Sequence, residues 1–279
     1  MPDLEDFLQR LRAADAVLVT VARAEGSTPR EPGAWMAVFE DAVVGSIGGG
    51  HLEWQAIAHA RQCLTAGAAD AAPRRCALGP SLGQCCGGVV HLGFELAGAR
   101  DGAALRQRLA RAGTPVALFG GGHVGHAIVR LVAELPFSLH WIDSRDEVFP
   151  DQVPAHVRCE HSEPVQAAVR ALAPGSRVLI MSFSHAEDLD IVASCLRRLR
   201  RTDDLAYIGL IGSKTKWASF RHRLQERGFS AAELARVTCP IGIAGLPGKE
   251  PEVIAIGVAA QLLQLRSLAA PSPLQRVGS

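Results

Sequence analysis

The first hundred residues carry both helical and strand-like patterns of hydrophobic positions. Apolar side chains recur at helical spacing near the start, at Leu4, Phe7, Leu8 and Leu11. Asp3 precedes them, where we expect a helix N-cap. Runs rich in β-branched and aromatic residues predict strands at 16–21, 35–39, 43–44, 74–78 and 88–95, and the spacing over 51–64 predicts a helix. We therefore predict an N-terminal α/β domain over residues 1–97.

Beyond residue 113, short apolar runs alternate with helical stretches. The predicted strands lie at 115–119, 138–142, 177–183 and 205–210, and the predicted helices include 187–200 and 250–268. Ser230 and Glu233 have the spacing of a capping box. Strands that alternate with helices are typical of a parallel sheet. We predict a doubly wound parallel sheet domain over 114–268 and a disordered tail at 269–279. The Ala-, Arg- and Gly-rich segment 98–113 is predicted to be a linker, with a connecting helix over part of it as the alternative.

Composition and charge narrow the class of protein. The chain has 279 residues, 48% of them hydrophobic, and a mean hydropathy of +0.14, which excludes general disorder. Its 29 basic and 28 acidic residues give a net charge of +1, which argues against a nucleic-acid partner. The longest apolar run near the C-terminus, 253–260, is far shorter than the roughly 20 residues of a membrane span. The chain begins without a secretory pattern, so we expect a cytoplasmic protein without a membrane partner.

Three glycines after the predicted strand 115–119 have the spacing of a dinucleotide-binding turn. They are Gly120, Gly122 and Gly125, and Asp143 ends the next predicted strand. In such a turn the first glycine permits a tight bend, the second lets a diphosphate reach the backbone, and the third lets helix and strand pack closely. Asp143 would accept a hydrogen bond from a ribose hydroxyl, and Arg145 leaves the choice between NAD and NADP open. The context predicts a Rossmann-like domain; the alternative is a turn that uses its glycines for packing alone.

Two further glycine-bearing loops carry lysines near predicted helix starts. Ser213 and Lys214 follow the strand 205–210, and Lys249 precedes the last helix. Loops at the carboxyl ends of parallel strands gather at one edge of the sheet, so both lysines and the amides near Gly122 would converge on one anionic ligand. The alternative is that these lysines are solvated at ordinary turns.

The N-terminal domain contains two polar, glycine-containing loops. The first includes Gly26, Ser27, Thr28 and Arg30; the second includes Gly48, Gly49 and Gly50, followed by Glu53. Successive glycines that open a helix form a nest of amides suited to an oxyanion, and Arg30 would add positive charge. Turn formation alone is the alternative, but the two loops together favour a ligand site.

Adjacent cysteines, Cys85 and Cys86, lie between glycines in a predicted loop. A thiolate is a soft metal ligand and a nucleophile, although two inert thiols remain an alternative. The chain has no C-x-x-C pair, so we do not expect a structural zinc site. We expect Cys159, Cys195 and Cys239 to be buried small hydrophobic residues. His185, after the strand 177–183, is either an acid–base group or a neighbour of a helix cap.

Taken together, five segments resemble a known family. They are Gly26-Ser-Thr-Pro-Arg30, the loop 45–50 with Glu53, Gly83-Gln-Cys-Cys-Gly-Gly88, the turn 119–125 and Asp143-Ser-Arg145. In this order they resemble the XdhC/CoxI family of xanthine dehydrogenase accessory proteins, over roughly residues 15–265. The segments 208–214 and 248–251 are most similar to its xanthine dehydrogenase branch. At Glu187 the chain departs from the many members that have a second histidine after His185.

The resemblance implies a carrier in purine catabolism rather than an enzyme with catalytic residues of its own. It implies that the chain binds molybdenum cofactor in its molybdopterin form, supports its sulfuration by a cysteine desulfurase, and delivers it to apo-xanthine dehydrogenase. The implied cofactor-binding residues are Gly26, Ser27, Thr28, Arg30, Gly48, Gly49, Gly50, Glu53, Cys85, Cys86, Gly120, Gly122, Gly125, Asp143, Arg145, Ser213, Lys214 and Lys249. Either Cys85 or Cys86 would contact molybdenum through the cofactor. The alternative is an NAD(P)-dependent oxidoreductase. The family and the apolar last helix favour a homodimer, although that helix would fit a monomer core equally well.

Overall fold

The chain divides into two compact units. The computed structural model describes residues 2–79, 87–110, 113–154 and 156–269, and the units comprise Met1–Arg111 and Ala112–Ser279. No helix in the described ranges combines the length and apolarity needed to cross a bilayer.

The first unit is an antiparallel sheet covered on both faces by helices. Its strands are β1 Ala16–Glu25, β2 Trp35–Val38, β3 Val43–Gly45, β4 Arg74–Ala77 and β5 Val89–Ala97, in the order β3-β2-β1-β5-β4. Its helices are α1 Pro2–Arg10, α2 Gly50–Ala66 and α3 Gly102–Leu109. Because side chains alternate along a strand, Val17 and Val19 pack under α2, whereas Leu18 packs with α1 and α3 on the opposite face.

The second unit is a six-stranded parallel sheet. Its strands are β6 Thr114–Phe119, β7 Phe137–Asp143, β8 Val157–His161, β9 Ser176–Ile180, β10 Leu205–Leu210 and β11 Val237–Thr238, in the order β11-β10-β9-β6-β7-β8. Its helices are α4 His123–Val132, α5 His185–Thr202, α6 Lys214–Glu226, α7 Ala231–Leu234 and α8 Pro251–Ala269. Ala117 and Phe119 face the core that includes α5 and α6, and Val116 and Leu118 face the core that includes α4 and α8. The predicted doubly wound, Rossmann-like α/β fold is confirmed.

The order of the strands reverses between β6 and β9. In doubly wound sheets, ligands bind in the crevice beyond the carboxyl ends of the strands at this point. The glycine turn follows β6, and the segment from Met181 to Ser184 follows β9. A ligand site of the second unit is therefore expected at this edge.

The segment 98–113, predicted as a linker, is mostly part of the first unit. A 3-10 turn at Ala99–Asp101 leads into α3, whose Leu105 and Leu109 are buried with residues of α1. Arg106 also forms a bidentate ion pair with Glu5. The segment folds because its two leucines lie one helical turn apart, a signal that its glycines and arginines obscured.

The structure also differs from the sequence prediction at several element ends and edge strands, each for a local reason. Helix α1 begins at Pro2, so Asp3 lies in its first turn rather than at the N-cap. Strand β9 ends at Ile180, because the Ser182 amide donates to a side chain of α5 instead of continuing the ladder. Strands β8 and β11 were not predicted; β8 is a half-exposed edge strand, and β11 has 2 residues. Most of the predicted tail, 270–279, lies outside the described residues.

Candidate functional site

The glycine turn after β6 is built around positions that exclude side chains. Gly120 has φ +124°, and a Cβ there would lie 2.0 Å from the Met181 carbonyl oxygen. A Cβ on Gly125 would lie 2.1 Å from the Gly120 carbonyl oxygen. Gly122 caps the start of α4, and a Cβ there would meet nothing within 4 Å. Gly120 and Gly125 thus serve packing, whereas Gly122 leaves the N-terminus of α4 open to an approaching group.

Asp143 ties this turn to the end of β7. Its carboxylate accepts from the Gly121 amide at 2.6 Å, from the Arg145 amide at 2.9 Å, and from Arg145 Nε and Nη2 at 2.9 and 3.0 Å. Burial alone would raise the pKa of Asp143, but these hydrogen bonds outweigh burial and lower it. Both oxygens are used within the protein. Asp143 thus organises the turn, and the predicted acceptance from a ribose hydroxyl would require breaking one of these bonds.

Two further contacts join the segment after β7 to the segment after β9: Arg145 with Phe183, and Ser144 with Glu187. The Arg145 guanidinium carbon lies 4.8 Å from the ring centre of Phe183, which is 68% exposed. Ser144 Oγ donates to Glu187 Oε1 at 2.7 Å, while Glu187 Oε2 is buried without a hydrogen-bond partner among the described residues. His185, the first residue of α5, is exposed, and its ring packs edge-on at 6.2 Å from Phe220.

A buried ion pair at the same edge was missed by sequence reasoning. Lys216 Nζ donates to Asp188 Oδ2 at 2.7 Å and to the Ile211 carbonyl at 2.9 Å. Asp188 Oδ1 accepts from the amide and the hydroxyl of Ser182, both at 2.8 Å. The pair joins the segments after β9 and β10, and its signal was the position of both residues in helix first turns after strand ends.

No hydrogen bond or ion pair between described residues joins the two predicted lysine loops to the glycine turn. Ser213 caps α6, and its hydroxyl accepts from the Lys216 amide at 3.2 Å. Lys214 is exposed at the first position of that helix. Lys249 is exposed and lines a cavity of about 370 Å³ with Ile211 and other residues. The convergence of Lys214 and Lys249 near Gly122 stays a prediction.

In the first unit, the glycine loop at residues 45–50 already binds a carboxylate of the protein itself, that of Glu53. Glu53 Oε2 accepts from Ser46 Oγ at 2.6 Å, from the Ile47 amide at 2.9 Å and from the Gly49 amide at 3.1 Å. Burial alone would raise the pKa of Glu53, but the bonds from Ser46 and from the loop amides outweigh burial and lower it. The Gly48 amide donates to Ser46 Oγ. An external oxyanion would therefore have to bind beyond these amides, toward the start of α2.

The structure brings three of the predicted segments of this unit together. A Cβ on Gly48 would lie 2.5 Å from Pro29 Cβ and 3.2 Å from Arg30 Cγ. A Cβ on Gly88 would lie 2.4 Å from the Ser27 carbonyl oxygen. The polar loop (residues 26–30) thus packs against both the glycine loop (residues 45–50) and the end of the cysteine loop (residues 83–88) at Gly88. Cys85 and Cys86 themselves lie outside the described residues.

Arg30 and Thr28 lie on the polar loop of this cluster. Arg30 is exposed, and its guanidinium has no ion pair within the part of the chain that the structure describes. Thr28 Oγ1 donates to the Arg30 carbonyl at 3.3 Å, which braces the loop. Arg30 is therefore a cation available to an anionic ligand.

Of the three cysteines that were predicted to be buried, only Cys195 is. Cys195 is fully buried, and burial raises its pKa to about 12. Cys159 and Cys239 are only partly buried, which corrects the prediction for these two; burial raises the pKa of each. Cys239 lies beyond β11, near the buried ion pair, whose Lys216 partly opposes the effect of burial.

A second cluster missed by sequence reasoning comprises His59 and Cys63 on α2 and Asp70 in the loop that follows this helix. His59 Nε2 is 2.8 Å from Asp70 Oδ2 and 3.7 Å from Cys63 Sγ. Burial, and next the charge of Asp70, raise the pKa of the Cys63 thiol. The available signal was the spacing of His59 and Cys63, which lie one helical turn apart on one face of α2.

Fold and site together define a two-unit α/β protein with a Rossmann-type second unit and a glycine-rich loop cluster in its first. Two family models match it: the XdhC Rossmann domain over residues 116–262, and the XdhC and CoxI family over residues 10–72. The chain belongs to the XdhC family, as predicted.

Two known proteins are similar to this chain over most of its length. The chain is 28% identical over 257 residues to the uncharacterized protein YqeB of Escherichia coli K12, a match that covers 90% of this chain and 43% of YqeB. The chain thus spans less than half of that relative's length. A crystal structure described as a xanthine dehydrogenase from Bacillus halodurans superposes with a TM-score of 0.75 at 21% identity, over 98% of both chains. At this identity the similarity supports the fold.

Proposed function

We propose that this chain is an accessory protein of xanthine dehydrogenase maturation that binds molybdenum cofactor in its molybdopterin form. In this proposal it supports sulfuration of the cofactor by a cysteine desulfurase and insertion into apo-xanthine dehydrogenase. One observation carries the proposal. In the first unit, the polar loop that begins at Gly26 packs against both the glycine loop at Gly48 and the end of the cysteine loop at Gly88. A single ligand could therefore contact all three.

The residues of this cluster fit the two ends of such a cofactor. Its phosphate is an anion, which suits Arg30 and the first-turn amides of α2, a helix start without a side-chain cap. Because Glu53 already engages the amides of Ile47 and Gly49, we assign to Glu53 the role of holding the glycine loop. A cysteine thiolate at Cys85 or Cys86 suits a soft metal centre. When bound, the cofactor would supply the molybdenum whose terminal sulfur is installed before delivery.

The first experiment mixes the purified full chain with molybdenum cofactor, isolates the protein by gel filtration, and assays bound pterin and molybdenum. We expect binding near one equivalent in the wild-type chain, and loss of binding in the Cys85→Ala/Cys86→Ala variant. Arg30→Ala should weaken binding by about 10- to 150-fold, since a charge-assisted hydrogen bond is worth about 1.5–3 kcal/mol. Arg12→Ala, which removes another exposed arginine of the same unit, is the matched control.

The proposal also predicts a functional effect on apo-xanthine dehydrogenase. The chain should raise the activity recovered by apo-xanthine dehydrogenase when cofactor and a cysteine desulfurase are supplied together. Absence of cofactor binding by the folded wild-type chain would refute the proposal. Binding without any effect on the apo-enzyme would limit the role to storage.

The alternative is an NAD(P)-dependent oxidoreductase, and one observation favours it. Gly122 leaves the N-terminus of α4 open at the edge where dinucleotides bind in related folds. The saturated carboxylate of Asp143 argues against it. Calorimetric titration with NADH and NADPH tests the alternative. Binding lost in Gly122→Ala but kept in Gly102→Ala, another glycine at a helix start, would favour it.

A further inference from the structure

We propose that His59, Cys63 and Asp70 form a binding site for a divalent transition-metal ion of the zinc type. The three residues lie in the first unit, with His59 and Cys63 on α2 and Asp70 in the loop that follows it. None of them belongs to the loop cluster assigned to the molybdenum cofactor. The proposal therefore does not depend on the proposed function.

The donor atoms have the spacing that a metal ion needs. One nitrogen, one sulfur and one oxygen all lie within 4.8 Å of one another. In a tetrahedral site with metal–ligand bonds of about 2.0–2.3 Å, donor atoms lie roughly 3.3–3.6 Å apart. The separation of Cys63 Sγ and His59 Nε2, 3.7 Å, is close to this value. The separation of His59 Nε2 and Asp70 Oδ2, 2.8 Å, is that of a hydrogen bond, which a metal ion would replace after a small outward shift of Asp70.

Neighbouring residues fix the positions of Cys63 and His59, whereas Asp70 is partly exposed in a loop. Cys63 is 5% exposed within the core under α2, so its sulfur is fixed. The His59 ring packs edge-on against Phe94, with ring centres 4.7 Å apart, which fixes its orientation. Asp70, in contrast, has a side chain that is 35% exposed and lies in a loop. A site with two packed donors and one partly exposed donor in a loop can close on an ion without disturbing the core.

The donor set indicates the class of metal and leaves one coordination position open. A thiolate, an imidazole and a carboxylate together suit Zn²⁺ and similar ions better than Mg²⁺ or Ca²⁺, which prefer oxygen ligands. His59 also lines a cavity of about 250 Å³ with Gln62 and Cys76. Three protein ligands beside an open cavity resemble a zinc site that keeps a position for water or another ligand.

The test uses Co²⁺ as a spectroscopic substitute for Zn²⁺. The full-length chain carrying Cys85→Ala and Cys86→Ala is treated with chelator and titrated with Co²⁺, so that these two thiols cannot contribute. We expect one equivalent of Co²⁺ to produce thiolate-to-cobalt charge-transfer absorption that Zn²⁺ abolishes. Cys63→Ser should remove the absorption, and the matched control Cys159→Ser should keep it. Absence of the absorption, or its persistence in Cys63→Ser, would overturn the proposal.

A second variant protects the test against misfolding. Cys63 is buried, so its replacement can destabilise the unit, whereas Asp70→Asn changes one charge at a partly exposed position and keeps a hydrogen-bond acceptor for His59. We expect Asp70→Asn to fold as the parent does and to bind Co²⁺ at least ten-fold more weakly. Unchanged Co²⁺ affinity in folded Asp70→Asn would mean that His59 and Asp70 form only a structural hydrogen bond, and the proposal would fail.

Discussion

Single residues at the carboxyl edge of the parallel sheet have roles that differ despite similar appearance in the sequence. Gly120, Gly122 and Gly125 share one motif, yet only Gly122 faces open space. Asp143 and Asp188 are both buried carboxylates, but Asp143 pairs with Arg145, two residues further along the chain, and Asp188 pairs with Lys216 on another helix. Substitutions at these residues should therefore change the free energy of unfolding by different amounts.

Alanine substitutions in the glycine turn should distinguish a glycine needed for backbone packing, Gly125, from one that borders open space, Gly122. Gly125→Ala should lower the free energy of unfolding by about 3 kcal/mol, because its Cβ would collide with the Gly120 carbonyl. Gly122→Ala, at an open helix cap, should cost about 1 kcal/mol or less. Urea unfolding of both variants checks this contrast. Equal costs would show that the turn rearranges to accept a side chain.

Removal of one partner of the buried ion pair should cost more than removal of both charges. Lys216→Met leaves the Asp188 carboxylate buried without its cation, which should cost about 3–5 kcal/mol. The double variant Asp188→Asn/Lys216→Met should be more stable than Lys216→Met alone, since the amide keeps an acceptor for Ser182. Thermal and urea unfolding of the two variants measure the difference. A double variant less stable than Lys216→Met would contradict this explanation.

At the scale of elements, packing decides which segments fold, and the most instructive case is α3. Its composition predicted a linker, but Leu105 and Leu109 bury one face of the helix against α1. Its ion pair with α1, between Arg106 and Glu5, is exposed. Burial of apolar side chains, rather than surface charge, should hold the helix in place.

Two variants of α3 test this. Leu105→Ala should lower the free energy of unfolding of the first unit by about 2–5 kcal/mol, since Leu105 is 2% exposed. Arg106→Ala should leave stability nearly unchanged, because the pair is solvated. Chemical unfolding followed by circular dichroism compares them. A larger effect of Arg106→Ala would mean that the ion pair, not the leucine, anchors α3.

At the scale of the whole molecule, both units contain carboxylates that are stabilised in their ionised form. The pKa of Glu53 is lowered in the first unit, as is that of Asp143 in the second. On the surface, the Arg200 hydrogen bond lowers the pKa of Glu233 to about 2. A lowered pKa means that the unfolded chain binds protons more readily than the folded chain. These groups therefore stabilise the fold at pH values above their unfolded pKa of about 4 and lose that effect as pH falls through the folded values.

The free energy of unfolding should accordingly fall as the pH drops below about 4. Asp143→Asn should be less stable at neutral pH, because Arg145 loses its carboxylate partner, and its stability should decline less steeply in acid. Urea unfolding of wild-type and variant chains between neutral and acidic pH provides both values. Parallel curves for the two proteins would mean that Asp143 does not contribute to acid sensitivity.

The sequence by itself determined the architecture and the family. Periodic apolar positions located most helices and strands, because burial on one face imposes a repeat along the chain. The glycine spacing after β6 identified the turn of the second unit, since at Gly120 and Gly125 a side chain would collide with backbone carbonyl groups. The order of several motifs along the chain then indicated the family, which the two family models confirm.

Only the tertiary structure decided which polar groups are already engaged. Glu53 takes amides that the sequence assigned to a ligand, and Asp143 is bound by Arg145 and the glycine turn. His59 and Asp70 meet across a loop, and Asp188 meets Lys216 from another helix. The physical reason is that hydrogen bonds and ion pairs act over a few ångströms in space. Their partners lie at sequence separations with no fixed period, so no repeat along the chain reveals them.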